Sequence, residues 1–298
     1  HYKQLVTTEK TVADTRFKFQ HDRIQQAASS LIMAGQEPAI HLQIGRLLLA
    51  HTKHLEENIF EIVNQINKGL FLVDDETEIH QLAELNLMAG QKAKAATAYK
   101  PALDYLQTGI ELLKSNTWQQ HYALSLQLYT QAAEAAFLNA DFEQMQQEIP
   151  VVLQQAQTLL DKMTVYEIQI QALIAQNLPL EALKTALVVL RQLGVNLPDK
   201  PTQSDIQRVL EETQSHLSQK PIDTLYALPV MTDPEKLAAM RILSSVATAA
   251  LMVVPELYSL VISQMVLLSL EHGNAKESSF GYVTYGFILR RVVGDIEQ

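Results

Sequence analysis

The stretch that most constrains this chain runs from Ala83 to Leu113, AELNLMAGQKAKAATAYKPALDYLQTGIELL. Leu82, Leu85, Ala89 and Ala93 recur at helical spacing and fall on one stripe. Ala95, Tyr99, Ala102, Leu106 and Leu113 nearly repeat the pattern. Two helices folded back on each other at Gly90 account for both stripes. Small Ala and Gly positions let helix axes approach closely, while Tyr99 and Leu106 fill the gaps between one hairpin and the next. A lone pair of helices cannot bury such a face, so the stretch predicts neighbours of the same kind.

The remaining composition agrees with a helical chain. Leu, Ala, Gln and Glu dominate its 298 residues, and Gly and Pro number 10 each, which favours helix almost throughout. A formal net charge of −10 argues against a general nucleic-acid binder, because phosphate contacts need clustered Lys and Arg. With 0 Cys there is no disulfide and no thiolate zinc site, which suits a reducing cytoplasm. The chain begins at His1 and stops inside a helical pattern at Gln298, which reads as a piece of a longer polypeptide.

The order Gly90, Ala95, Tyr99, Ala102 resembles the turn and second helix of a tetratricopeptide hairpin. Further hairpins follow. Leu124, Leu128, Ala132, Ala135 and Leu138 form a stripe that ends at the turn Ala140-Asp141-Phe142, and Tyr166–Gln176 pairs with Leu180–Leu193 across Asn177-Leu178-Pro179. These two turns lie about 37 residues apart, near the ~34-residue tetratricopeptide period, whereas Gly90 to Ala140 spans about 50. The expected fold is therefore all-α: an irregular tetratricopeptide-like superhelix, or α-solenoid. Two helices precede the central hairpin, Ala39–Ala50 and Leu55–Asn67, with Leu42, Leu48, Leu49, Ile59, Val63 and Ile66 facing a core. Asp74-Asp75-Glu76-Thr77 starts the next helix. Pro101 either kinks the second central helix or lies in the first turn of one that begins afresh at Lys100.

Domains follow from composition shifts. Residues 1–35 read as the remnant of a preceding winged-helix unit, because Phe17 and Phe19 alternate as in a short strand and His21 or Asp22 then opens a helix. Residues 36–197 hold the helical repeats. Pro198 and Pro201 open a connector, 198–233, with a short polar helix capped by Ser204 and backed by Gln207. Residues 234–298 hold further hairpins, with a helix over Phe280–Val293 and a turn at Gly294-Asp295-Ile296. The apolar runs after Pro234 are split by Pro255-Glu256 and dotted with Ser, so buried helices explain them better than a membrane span.

FKFQHDRIQQAASSLI, HLQIGRLLL, NIFEIVNQINKG, LAELNLMAGQKAKAATAY and VLRQLGVNLPDKP, in that order, resemble a particular family region. It is the helical region after the STAND-type or AAA-like ATPase module of large bacterial signalling proteins. In the cyanobacterial branch a Ser/Thr kinase domain precedes that ATPase, and a GAF domain and often a histidine kinase follow the helices. The resemblance implies a cytoplasmic, non-catalytic regulatory and interaction module. Its partners would be the ATPase, kinase and GAF-type sensor domains of the same polypeptide, with a protein or peptide in its groove and a homodimer as a further arrangement. It also implies a nucleotide-sensing role for His21, with Asp22 as helix cap and Arg23 on the surface. The rival expectation is a helical domain that senses a small-molecule effector.

Catalytic signatures are absent from the sequence: no phosphate-cradling Gly-rich loop, no His-Arg-Asp loop and no Gly-x-Ser-x-Gly elbow. No cofactor and no metal are expected, and the piece itself is not expected to be an enzyme. His51 and His54 beside Glu56 and Glu57 could share a metal, but a solvated polar face is the plainer reading. Asn86, Lys92 and Lys94, around the turn of the central hairpin, could offer an amide and two charges to a carboxylate in the groove.

Overall fold

The computed structural model describes residues 6–11, 14–19, 35–113, 117–220 and 222–292. Two strands come first, β1 (Val6–Thr11) and β2 (Asp14–Phe19). They pair antiparallel, with Val6 opposite Phe19 and Thr8 opposite Phe17. The Phe17/Phe19 alternation anticipated β2. β1, with its run of Thr, Glu and Lys, carries no such apolar alternation.

Every longer element beyond them is helical, in consecutive pairs. The first pair is α1 (Glu37–His51) with α2 (Leu55–Ile66), and the second α3 (Glu76–Ala95) with α4 (Tyr99–Leu112). A single turn, α5 (Thr117–Gln120), precedes α6 (Tyr122–Leu138) and α7 (Phe142–Gln155). Then come α8 (Leu159–Ala175) with α9 (Pro179–Gln192), an intervening α10 (Gln203–Ser218), and α11 (Pro234–Val253) with α12 (Pro255–His272). Last is α13 (Ser278–Val292). Each pair packs on the next: α2 on α3, α4 on α6, α7 on α8, and α9 on α11. First helices also touch first helices, α3 on α6, α6 on α8, and α8 on α11.

Helix starts are explicit in the sequence chemistry. Asp75 accepts a hydrogen bond from the Glu78 N–H at 2.8 Å, so α3 begins on a carboxylate that also suits the positive helix end. Thr158 with Asp161 and Thr202 with Asp205 form reciprocal capping boxes for α8 and α10. The cap of α10 is thus Thr202, two residues before the expected Ser204, and its partner is Asp205 rather than Gln207. Ser204 instead shares its hydroxyl with Thr202 at 2.9 Å.

The central hairpin turns at Thr97, not Gly90. Gly90 lies inside α3, where a Cβ would fall 2.5 Å from Leu106 Cγ, so its role is to let α4 approach. Ala95 accordingly ends the first helix and does not belong to the second. α4 starts at Tyr99, which places Pro101 in a first turn whose N–H groups have no helical partner to lose.

Three successive hairpins share one turn. Thr97, Ala140 and Asn177 all have left-handed backbones, with φ of 59°, 57° and 59°. After each, a backbone N–H reaches back to a carbonyl five residues earlier: Ala98 to Ala93 at 2.9 Å, Asp141 to Ala136 at 2.8 Å, and Leu178 to Leu173 at 2.8 Å. The turns lie about 43 and 37 residues apart, closer to regular than a turn at Gly90 would allow.

Apolar side chains form three adjoining clusters, around α1–α3, around α3–α8 and around α8–α13. The last runs unbroken across 198–233: Leu190, Leu193, Val195 and Leu197 pack with residues of α10, α11 and α12. α11 is long and apolar enough to cross a membrane by length and composition. Ala238, Ala239, Ile242, Leu243, Val246 and Ala247 on it are fully buried in this third cluster.

One buried acid lies in α7. Desolvation pushes the Glu148 carboxyl above the usual carboxylate range, and a 2.6 Å bond from Gln144 Nε2 opposes that only in part. A raised folded-state pKa means that folding favours the protonated acid. The stabilising contribution is fully present below the unfolded value, ~4.3, and is lost as pH rises through the folded value. Glu148→Gln should therefore raise stability at pH 7 by about 1 kcal/mol, and the gain should vanish near pH 4. Melting curves of both proteins across that range check it. A gain that grows on acidification would refute it.

Candidate functional site

The first helices of successive pairs form one continuous face, and polar links tie neighbour to neighbour along it. Glu78 of α3 accepts two hydrogen bonds from Arg46 of α1, from Nε at 2.6 Å and Nη2 at 2.7 Å. Lys94 of α3 reaches Gln131 and Glu134 of α6, both at 2.5 Å. The Tyr122 hydroxyl of α6 donates to Asp161 of α8 at 2.7 Å and accepts the Gln157 N–H at 2.8 Å. Arg241 of α11 donates from Nε to Glu167 of α8 at 2.8 Å. The junctions α1–α3, α3–α6, α6–α8 and α8–α11 thus each carry directed polar contacts.

The Tyr122 link has a measurable electrostatic trace. Burial works against the Asp161 carboxylate, yet the bonds from Tyr122 and Thr158 outweigh it and hold this acid below the usual range. The ion pairs are partly exposed, so each contributes roughly 0.2–1 kcal/mol. Their effect is on orientation more than on stability: a bidentate Arg–carboxylate contact fixes both distance and angle between helices.

Each of the three expected groove residues already makes polar contacts with a neighbouring pair. Asn86 is buried, at 1% exposure, and exchanges amide bonds with Asn67 at 2.9 and 3.2 Å. Its helical spacing matched the groove expectation, but the sector it occupies faces α4 and the segment after α2. Lys92 bonds the backbone carbonyls of Glu56 and Glu57 and lies 5.1 Å over the Phe60 ring. Lys94 is the α3–α6 link described above. The three point to three different neighbours and do not converge. His21, Asp22 and Arg23 lie outside the described residues, as does the turn expected at Gly294-Asp295-Ile296.

His51 bonds the Leu47 carbonyl at 2.8 Å, and no group of three His, Asp or Glu among the described residues could hold a metal. The His80 and His121 rings lie tilted at 45° with centroids 4.0 Å apart, beside a small cavity also lined by Glu76 and Gln120.

A larger groove of about 670 Å³ lies between α9, the 199–201 loop and the start of α12. Leu180, Leu183, Leu187, Val188 and Val254 make its floor, and Lys184, Arg191 and Lys200 its cationic rim. Its cations are partly engaged: Lys184 bonds Glu181 at 2.8 Å, and Arg191 lies 3.6 Å from Asp199. The sequence signal for this groove was slight, since Leu180 and Val188 fit a core stripe equally well.

Comparison with known proteins adds context. Over 241 residues, 70% of the chain, the sequence is 27% identical to hybrid signal transduction histidine kinase G of Dictyostelium discoideum. The likeness is to a signalling kinase. The match spans a small part of that protein, 7% of its length. No family model matches the chain, and no solved structure does.

Proposed function

We propose that this chain is a cytoplasmic, tetratricopeptide-like regulatory segment of a multidomain signalling kinase, without catalytic activity of its own. It would couple ATPase or kinase domains to a sensor domain of the same polypeptide, with the stretch around His21 as the point of contact with the ATPase. One observation carries this reading: the same left-handed turn closes three successive hairpins at Thr97, Ala140 and Asn177. A repeated unit whose neighbours are tied by directed contacts can pass a displacement along its length, because each hairpin packs mainly on the next. The kinase similarity supports the context, and the absence of a phosphate loop from the sequence supports a non-catalytic role.

The rival reading, a sensor of small molecules, draws on the groove beside α9. A ligand site needs a few convergent polar groups on an apolar floor. There, two of three cations already face carboxylates, which weighs toward the scaffold.

Coupling is tested at the α8–α11 link. In the parent kinase, Arg241→Glu should change basal phosphorylation several-fold, and Arg241→Glu with Glu167→Arg should restore it. The melting temperature of the fragment should move little, since a partly exposed pair is worth less than about 1 kcal/mol. Output unchanged by the single reversal would defeat the proposal.

A further inference from the structure

α13 carries an exposed apolar stripe on an unexpected side. Phe280, Val283 and Phe287 recur at i, i+3 and i+7 and are 41%, 62% and 66% exposed. Earlier first helices show what each sector of such a helix meets. In α3, Leu82, Leu85 and Ala89 face the preceding pair. At 100° per residue the next sector holds Ala83, Asn86 and Gly90, which face α4. The third holds Gln81, Glu84 and Gln91, all exposed and polar. α8 repeats the order: Val165, Ile168 and Ala172 toward the preceding pair, Met163 and Ile170 toward α9, Thr164 and Gln171 exposed.

In α13 the sector toward the preceding pair is fixed by Gly281 against Met265 and by the 2.7 Å contact between Ser278 and Ser269. The same rotation puts Tyr282 and Leu289 toward a following helix, and Phe280, Val283 and Phe287 in the open third sector. A continued array of hairpins would leave this stripe uncovered. Three large apolar groups stand where α3 has Gln81, Glu84 and Gln91, and all three are more exposed than Leu160 and Ile174, which are 37% and 38% exposed on the same side of α8.

Charge identifies the kind of occupant. Lys276, whose side chain is 83% exposed, precedes the stripe, and exposed Arg290 ends it. Lys276 lies 3.7 Å from its neighbour Glu277, at the outer limit of ion pairing. An antiparallel second copy centred on Val283 would set Arg290 of one α13 against Lys276 of the other, two like charges. A chain of net charge −10 is also poorly suited to an anionic membrane.

We propose that the Phe280–Val283–Phe287 stripe docks the apolar face of an amphipathic helix with carboxylates at both ends. Such a helix would lie along α13 with its apolar residues at i, i+3 and i+7.

The test uses the 298-residue chain and two labelled helical peptides of ~15 residues, matched in length to α13 and sharing one Leu stripe, with Glu at both ends of one and Lys at both ends of the other. The acidic peptide should bind saturably, more weakly as salt rises, and the basic one at least about tenfold less tightly. Lys276→Glu with Arg290→Glu should invert that preference. Phe287→Ser should abolish binding with an unchanged melting curve, because Phe287 is mostly exposed. Equal binding of both peptides, or none, would overturn the proposal. So would a dimer in sedimentation that Phe287→Ser returns to monomer, which gives the face to a second copy. Preferential binding to phosphatidylserine vesicles would overturn it in favour of a lipid surface.

Discussion

Ala102→Glu is expected to unfold the central pairs of helices. Ala102 is fully buried between α3 and α4, and its carbonyl oxygen lies 3.2 Å from where a Gly90 Cβ would be. A side chain with no exposed surface has no room for four extra heavy atoms without displacing its neighbours. Burying an unpaired charge costs several kcal/mol, ~3–5 in measured cases, against a total folding stability of ~5–15 kcal/mol. The damage should spread, because the α3–α8 cluster adjoins the clusters on either side and shares helices with both. Circular dichroism should show a melting temperature lowered by about 10 °C or more, or no cooperative transition at all. Ala95→Glu is the matched control, since Ala95 is exposed at the end of α3. If Ala102→Glu melts within about 2 °C of the parent, the packing of α3 on α4 described here is wrong.

That packing was legible because it rests on a periodic signal. Leu82, Leu85, Ala89, Ala102 and Leu106 all lie where their spacing placed them. What the spacing could not place was the turn. Glycine usually marks a left-handed residue, so Gly90 was the natural choice between the two stripes. The protein instead bends at Thr97, Ala140 and Asn177, three different non-glycine residues. At these sites the turn is set by the docking of the two helices, with back-bonded carbonyls offsetting the backbone strain, and residue type says little. Ionic links between pairs are silent in sequence for another reason. Arg241 and Glu167 are 74 residues apart, and no local pattern joins them. Asn86 shows the converse failure: a polar residue at a plausible spacing is consumed internally by Asn67. The stripe on α13 looked like one more core helix, because three large apolar residues at i, i+3 and i+7 are what a buried face also requires.

Gly273→Val should be the other severe substitution, through backbone rather than core. Gly273 ends α12 with φ of 96° and ψ of 174°, a conformation that is costly for any residue with a Cβ. A Cβ there would also fall 2.3 Å from the Pro229 carbonyl oxygen, and backbone cannot swing aside as a side chain can. That carbonyl accepts the Asn274 N–H at 2.7 Å, and the Asn274 carbonyl in turn accepts the Met231 N–H at 2.9 Å. Asn274 also donates from Nδ2 to the Leu225 carbonyl at 2.7 Å and accepts from the Tyr282 hydroxyl at 3.0 Å. One position therefore holds the 222–231 connector, the α12–α13 turn and α13 together. Strain of ~1–3 kcal/mol plus two or three broken buried hydrogen bonds sums to about 3–5 kcal/mol. Gly194→Ala separates the two causes. Gly194 is also left-handed, with φ of 80°, but a Cβ would meet nothing nearer than Lys236 Nζ at 3.7 Å. It should lose about 1 kcal/mol, the cost of a left-handed residue alone. Limited proteolysis gives the local readout: in Gly273→Val, cleavage within 220–231 should precede global unfolding, whereas Gly194→Ala should resist there like the parent. Equal melting losses for the two variants would mean that the Pro229 contact does not hold the connector.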